Sequence, residues 1–428
     1  MKRLTDLVPQ EIKNIYHLFQ SAIANVIYRF PSRTINVIGV TGTDGKTTTV
    51  SLIHHILKAA GVKVSMISTV KALVGEAIFD TGFHVTTPSP FEIQKFLRLM
   101  IKAGSKLAIL EVTSHGLDQN RVAFLNFHSG VITNVTHEHL DYHKNYEAYL
   151  KTKSKILEGV KYRILNADEP SFAKLSAKGS GRLISFGIRK DADVSAKKIQ
   201  NKGNGVEFEV HIKNSAREQE KLIVFLPMPG IFNVYNALAA VACVRAFDVE
   251  NKVIVDSLKN FPGVVGRVEE IDEGQNFKVI LDFAHTPNAF QQTLGTLKSR
   301  TRNRLICVFG AAGERDILKR PIMGEIAGKF CDYVVITSED PRHEDINKIT
   351  KEIAKGLEKS GAVLGESFWE VPDRVGAIKY AVTTLAKDGD TVAILGKGHE
   401  KSMNIGGVEY PWSDQIAASN ALLERLKK

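Results

Sequence analysis

The chain has 428 residues, too many for one compact core, so two or three domains are expected. Hydrophobic residues make up 43% and charged residues 24%, an ordinary globular balance that argues against a disordered or fibrous chain. The formal charge of +10 suits anionic ligands, but the bases are interleaved with acids and form no aromatic–arginine block, so no nucleic-acid partner is expected.

Met1 to Gln10 lack the pattern of a signal peptide, and no apolar run is long enough for a transmembrane helix. Residues 9–30 show helical periodicity that Pro31-Ser32 ends. Such a helix either packs on the body or lies on a membrane surface, and packing is preferred because apolar stripes ordinarily face a core.

From Thr34 strand and helix alternate. The apolar run Ile35–Val40 leads into Gly42-Thr43-Asp44-Gly45-Lys46-Thr47-Thr48 and then Val50-Ser51-Leu52-Ile53, which reads as strand, phosphate loop and helix. Gly42 and Gly45 let backbone N–H groups reach phosphate oxygens, and the helix opening near Lys46 aims its dipole at the anion. Lys46 can reach the β- and γ-phosphates, and the Thr47 hydroxyl can take a Mg²⁺ position. The first glycine of the usual pattern is Val40 here, with Gly39 one residue early. An ordinary strand-to-helix turn with a stray lysine is the alternative, and the flanking strand and helix disfavour it.

Strand candidates follow at 63–68, 107–110, 130–133 and 163–165, the mark of a mostly parallel sheet covered on both faces. Residues 194–210 and 220–225 read as antiparallel hairpin strands, and an Ala-rich helix opens at Phe232 and runs to Phe247. A boundary is placed near Phe261-Pro262-Gly263. Beyond it α/β alternation restarts, with strands at 278–282, 305–310, 333–337 and 391–396. The expected organisation is a short helical segment at 1–33, a central P-loop domain at 34–262 and a Rossmann-like domain at 263–428, with a nucleotide between the two α/β domains. Cys243, Cys307 and Cys331 lie far apart in apolar segments, which excludes a disulfide framework and suits a cytoplasmic protein.

Six polar turns, most at strand ends, are candidate sites because ligands of open α/β sheets bind at the strands' carboxyl ends. Glu111–Arg121 offers Glu111 to a Mg²⁺, or is a helix-capping turn. Thr133–His143 contains His137, His139 and His143 with two acids, a spacing open to zinc or to Mg²⁺ beside a phosphate loop. The others are Asp282–Asn288, Gly310–Asp316 with Lys319 and Arg320, Thr337–Arg342, and Gly396–Glu400.

Taken together, the Gly42–Thr48 loop, Thr86-Thr87-Pro88, Glu111–Arg121, Thr133–His143, Phe232–Asn236, Gly266–Glu269, Asp282–Pro287, Gly313–Arg320, Glu339–Arg342 and Gly396–Glu400 resemble the Mur ligase family. The Ser-His-Gly-Leu-Asp-Gln and Gly-Lys-Gly-His-Glu runs resemble its MurE branch most. The resemblance implies an ADP-forming ligase of peptidoglycan synthesis that uses ATP and Mg²⁺ to join an amino acid to a muramoyl peptide through an acyl phosphate. It implies Thr47 and Glu111 at a first Mg²⁺, His139 at a second, and a carbamoylated Lys153; the alternative for Lys153 is a plain surface lysine in the run Lys151, Lys153, Lys155. Lys46, Glu111, His139 and Lys153 are the catalytic set it carries over. Asn233, Arg267, Asp282 and His285 would meet the nucleotide. Thr86, Thr87, Thr113, Gln119 and Arg121 would hold the acceptor, and Arg315, Glu339, Asp340, Arg342, Gly396 and Glu400 the amino acid.

Two departures stand out. Only a short helix-like segment precedes the loop where the family carries a uridine-nucleotide-binding domain, so the acceptor is either UDP-linked or otherwise activated. Diaminopimelate-adding relatives carry Asp-Asn-Pro-Arg where this chain has Glu339-Asp340-Pro341-Arg342; Arg342 suits a distal carboxylate, while Asp340 adds a negative charge that suits an amine. The expected activity is addition of meso-diaminopimelate by a monomer. Rivals are a polyglutamate- or cyanophycin-type ligase and a non-catalytic nucleotide-binding scaffold. The Ser114–Gln119 and Gly396–Glu400 runs oppose the first, and the Lys46, Glu111, His139 and Lys153 set opposes the second.

Overall fold

Apolar strands bounded by polar turns build two sheets, one in each of two units, Met1–Pro262 and Gly263–Lys428. The computed structural model describes residues 9–79, 86–136, 140–143, 145–213 and 219–427. His137, Glu138 and His139 lie outside the described residues, so the expected second metal ligand has no structural account.

The first unit carries β1 (Asn36–Thr41), β2 (Val64–Ile67), β3 (Ala72–Val74), β4 (Ala77–Phe79), β5 (Leu107–Glu111), β6 (Phe127–Ile132), β7 (Tyr162–Asn166), β8 (Arg182–Gly187), β9 (Val194–Lys202), β10 (Gly205–Lys213) and β11 (Gln219–Leu226). Their order is β11-β10-β9-β8-β7-β6-β1-β5-β2-β3-β4. Pairing is parallel from β2 through to β9 and antiparallel at both ends. β1, β5 and β6 are nearly wholly buried, as strands covered on both faces should be. β8 and the β3–β4 hairpin are additions to the expected elements. The hairpin strands are short, and a run such as Ala72–Val74 carries too little periodicity to declare itself.

Three helices position this unit's site: α1 (Gln10–Ile27), α2 (Lys46–Ala59), which follows the phosphate loop, and α3 (Pro90–Lys102), which opens on a Ser89–Glu92 capping box. The expectation that the apolar stripe of α1 faces the core is overturned. The helix does pack, against α3, but Ser21, Ala24 and Asn25 are its buried residues, while Ile12, Ile15, Tyr16, Phe19 and Ile23 are exposed. No helix among the described residues is long and apolar enough to cross a membrane.

In the second unit β12 (Glu269–Ile271), β13 (Lys278–Asp282), β14 (Leu305–Phe309), β15 (Tyr333–Ile336), β16 (Phe368–Glu370) and β17 (Thr391–Leu395) form a sheet ordered β12-β13-β17-β14-β15-β16. It is parallel except for β12. Alternate residues of β14 feed separate cores, Cys307 and Phe309 on one face, Ile306 and Val308 on the other. β18 (Ser402–Ile405) and β19 (Val408–Pro411) form a separate hairpin. Buried Arg374 ties the carboxyl ends of two strands together: it donates to Ser338 O beyond β15, to Leu395 O of β17, and to both oxygens of Asp414 at 2.8 Å.

Candidate active site

The loop between β1 and α2 is shaped by close backbone approach. A Cβ at Gly42 would strike Thr133 Oγ1, and one at Gly45, where φ is +79°, would strike Asn236 Oδ1. Asn134 templates the turn: its Oδ1 accepts from Thr43 N at 3.1 Å and Asp44 N at 2.9 Å, and its Nδ2 donates to Asp44 O at 3.2 Å. Thr133 Oγ1 adds a 2.7 Å bond to the same carbonyl. Lys46 curls over the loop, its ammonium 3.1 Å from Gly42 O and 2.7 Å from Thr43 O. Thr47 and Thr48 are buried in the first turn of α2.

Glu111 ends β5 as a buried carboxylate. Its Oε1 accepts from the Thr47 hydroxyl at 3.0 Å and the Thr69 hydroxyl at 2.9 Å, and its Oε2 accepts from Thr69 N at 2.9 Å. The same turn does cap a helix, through Thr113, which accepts from Gly116 N at the start of Ser114–Asp118, while Glu111 itself takes no part in the cap. A carboxylate and a hydroxyl, both oxygen donors beside a phosphate loop, fit a hard divalent cation.

Lys153 comes to the same loop from the helix Tyr146–Ser154. It is 1% exposed, its ammonium donates to Gly42 O at 2.7 Å and lies 4.5 Å from the centre of the Tyr149 ring, and Tyr149 OH meets Thr43 Oγ1 at 3.1 Å. Lys151 and Lys155 are exposed. Lys153 is thus not the plain surface lysine of the alternative reading.

Asn233 sits in the helix Ile231–Val244, which packs on α2; it donates to Pro229 O at 2.8 Å and accepts from Asn236 Nδ2 at 3.1 Å. Around the Ser114–Asp118 helix the other residues of this unit converge. Thr87 and Thr113 hydroxyls meet at 3.1 Å, Arg121 donates to Thr87 O at 2.7 Å and to Gln119 Oε1 at 2.9 Å, and half-buried Thr86 adjoins them.

In the second unit the expected residues gather at the carboxyl ends of β13, β15 and β17. Asp282 accepts from Val268 N and Ala284 N, both at 2.8 Å; burial pushes its carboxyl above the ordinary value while Arg267 pulls it down. Arg267 stacks over Phe283 and reaches His399 Nδ1 at 3.3 Å, and burial with that guanidinium holds His399 neutral, its value lowered to about 2. His285 Nδ1 meets Phe283 O at 2.8 Å, and its own carbonyl accepts from Lys319 Nζ at 2.8 Å.

Beyond β15, buried Glu339 faces Gly396, where φ is +106° and a Cβ would stand 2.7 Å from Oε2. That oxygen has no hydrogen-bond partner among the described residues, and burial raises the carboxyl to about 7. Asp340 accepts from Lys397 Nζ at 2.8 Å and from Asn404 N at 3.0 Å, and Lys397 also pairs with Glu400 at 2.5 Å. Fully buried Lys397 thus answers the negative charge of Asp340. Arg342, at φ +54°, is half-buried near exposed Arg315, and burial and that neighbour hold its guanidinium below the ordinary value. Among the described residues neither guanidinium makes a hydrogen bond or salt bridge.

Sequence reasoning missed Thr69, which braces Glu111, and Asn404, which helps hold Asp340; it named the motifs of Asn134 and Asn236, which set the loop, and of Lys397, which pairs with Asp340, but gave those residues no role. Thr69 follows a buried strand, which is the signal that could have found it.

Two family models match: the Mur ligase middle domain over residues 40–244 and the Mur ligase glutamate ligase domain over residues 266–398. A UDP-N-acetylmuramyl-tripeptide synthetase of Roseiflexus sp. is 39% identical, over 94% of this chain and 81% of its own length. A UDP-N-acetylmuramoyl-L-alanyl-D-glutamate--2,6-diaminopimelate ligase of Syntrophomonas wolfei is 37% identical over the same shares. A solved structure of such a diaminopimelate ligase superposes with a TM-score of 0.63 at 28% identity, covering 98% of this chain and 84% of that one.

Proposed function

The chain belongs to the Mur ligase family, ATP-dependent ligases of peptidoglycan-precursor synthesis, and from that premise we propose that it adds meso-diaminopimelate to a UDP-linked muramoyl dipeptide in the cytoplasm. The observation that carries the choice of amino acid is the pair of guanidiniums, Arg315 and Arg342, without hydrogen-bond or salt-bridge partners among the described residues. At Arg342 burial and Arg315 outweigh the nearby Asp340, Glu314 and Glu409, so the pair suits an anion, and a bidentate carboxylate meets that demand. Diaminopimelate carries such a carboxylate at its distal end; lysine ends in a cation that the pair would repel. Asp340 does not reverse this, because Lys397 answers its charge.

In this reading Lys46 leaves its loop carbonyls to meet the β- and γ-phosphates, and the loop amides hold the phosphate oxygens. Thr47 and Glu111 would hold Mg²⁺, which supplies charge neutralisation on the transferring phosphoryl group. Thr87, Thr113 and Arg121 orient the acceptor carboxylate for attack on the γ-phosphate, giving an acyl phosphate. The amine of the incoming residue then displaces phosphate. Burial of Lys153 against the loop supports its assignment as the carbamoylated lysine: its ammonium loses a proton, the neutral amine adds CO₂ and sheds a second proton, and the resulting carbamate is an anion suited to the cation site.

The test is phosphate release from ATP with UDP-N-acetylmuramoyl-dipeptide, comparing meso-diaminopimelate with lysine. Turnover with diaminopimelate alone supports the reading. Turnover with lysine alone overturns the choice of amino acid, and bound ATP without turnover on either overturns the UDP-linked acceptor.

A further inference from the structure

α1 turns its apolar face to solvent. Ile12, Tyr16, Phe19, Ile23, Val26 and Ile27 recur at helical spacing, and each is more than half exposed. The packed face is polar: Asn14 Nδ2 donates to Asp118 Oδ2 at 3.0 Å, Ser21 Oγ to Asn120 O at 2.6 Å, and Asn25 Nδ2 to Ala123 O at 3.3 Å. A helix polar inside and apolar outside inverts the usual order for a surface helix, and an exposed apolar stripe of this extent marks a contact surface.

We propose that this face docks on an anionic phospholipid bilayer, with α1 lying in the plane of the headgroups. Charge argues for that occupant. Residues 9–33 carry Lys13, Arg29 and Arg33 against the single acid Glu11, and α3, packed beside α1, carries Lys95, Arg98 and Lys102 against Glu92. Arg29, Arg33, Lys95 and Lys102 are exposed, and the chain as a whole carries a formal +10. Bases beside an inserted apolar helix face are what an anionic surface attracts. Area argues against a second copy. A helix of 18 residues is roughly 27 Å long and 10 Å wide, so its face covers on the order of 300 Å², while a stable interface buries about 800 Å² per partner.

The docked geometry has a consequence for substrate delivery. The inner face of α1 is bonded to the segment that carries Gln119 and Arg121, so these acceptor-site residues stand about one helix diameter from the bilayer.

The experiment is flotation of the full chain with phosphatidylcholine vesicles containing phosphatidylglycerol, against phosphatidylcholine alone. The protein is expected to float with the anionic vesicles only, and less as salt rises. The double variant Phe19→Glu/Ile23→Glu lowers the partition coefficient about a hundredfold, two lost side chains at roughly tenfold each. Arg29→Glu/Arg33→Glu lowers it roughly tenfold or more. All four positions are exposed, and phosphate release in vesicle-free buffer verifies that the variants are folded. The proposal is overturned by no flotation with either vesicle, by undiminished flotation of the Phe19→Glu/Ile23→Glu variant, or by a sedimentation dimer that this variant reduces to monomer.

Discussion

Of the three lysines at positions 151, 153 and 155, burial singles out one, and its ammonium is drawn to a carbonyl of the phosphate loop. A group placed there acts on charge that develops during phosphoryl transfer, so Lys153→Ala is expected to lower kcat by about 10²–10³. On the proposed carbamate, Lys153→Arg should not restore it, because arginine keeps the cation but forms no carbamate; activity of the parent protein should rise with added bicarbonate, and steady-state phosphate release reads both effects. Glu339 gives a second test, of stability. Its folded carboxyl titrates near 7 against an ordinary 4.5, so the native state holds a proton that the unfolded chain releases over that interval. Stability therefore falls as pH rises from about 4.5 through 7, by roughly 3 kcal/mol at most. Glu339→Gln removes that dependence: its Tm exceeds the parent's by several degrees at pH 8 and matches it at pH 4, and an equal gain at both values counts against the titration.

At the scale of elements, the strand–loop–helix around Lys46 was legible because its two glycines and its apolar flanks are local signals. The inward polar face of α1 was not, since the same periodicity serves a core face or an exposed one and only the neighbours Asp118, Asn120 and Ala123 decide between them. Asp340 shows the same limit. From sequence its charge pointed to an amine, but Lys397 lies fifty-seven positions away and neutralises it in space. The β18–β19 hairpin, too short to be read, then fixes the arginine proposed to select the amino acid: Arg342 N donates to Asn404 O at 3.0 Å and Gly406 N to Arg342 O at 2.6 Å, holding φ at +54°. Asp340 anchors that hairpin through Asn404 N. Asp340→Ala should therefore raise KM for the amino acid about tenfold with a smaller change in kcat, whereas Asp340→Asn, which keeps an acceptor oxygen for Asn404, costs less. A loss confined to kcat would remove the positioning role.

At the scale of the molecule, each unit has a core of its own, one gathered around Ile67, Leu97 and Leu110 and the others on the two faces of the second sheet. Such a chain unfolds in more than one step, so a single midpoint misdescribes it. The two tryptophans, Trp369 and Trp412, both lie in the second unit, which gives that unit a private optical signal, while far-ultraviolet circular dichroism reports both. A non-hydrolysable ATP analogue with Mg²⁺, at a hundredfold excess over its Kd, adds about 2.7 kcal/mol to whatever it binds. The first unit's transition is then expected to rise by several degrees, and Gly45→Ala, which drives a methyl into Asn236, abolishes the rise. If Arg267 meets the nucleotide, as the family resemblance implies, the tryptophan transition rises as well. Arg267→Ala should remove that second rise and leave the first, separating the loop's contribution from that of the second unit in one titration. A tryptophan transition indifferent to nucleotide in the parent protein would take Arg267, Asp282 and His285 out of the nucleotide site altogether.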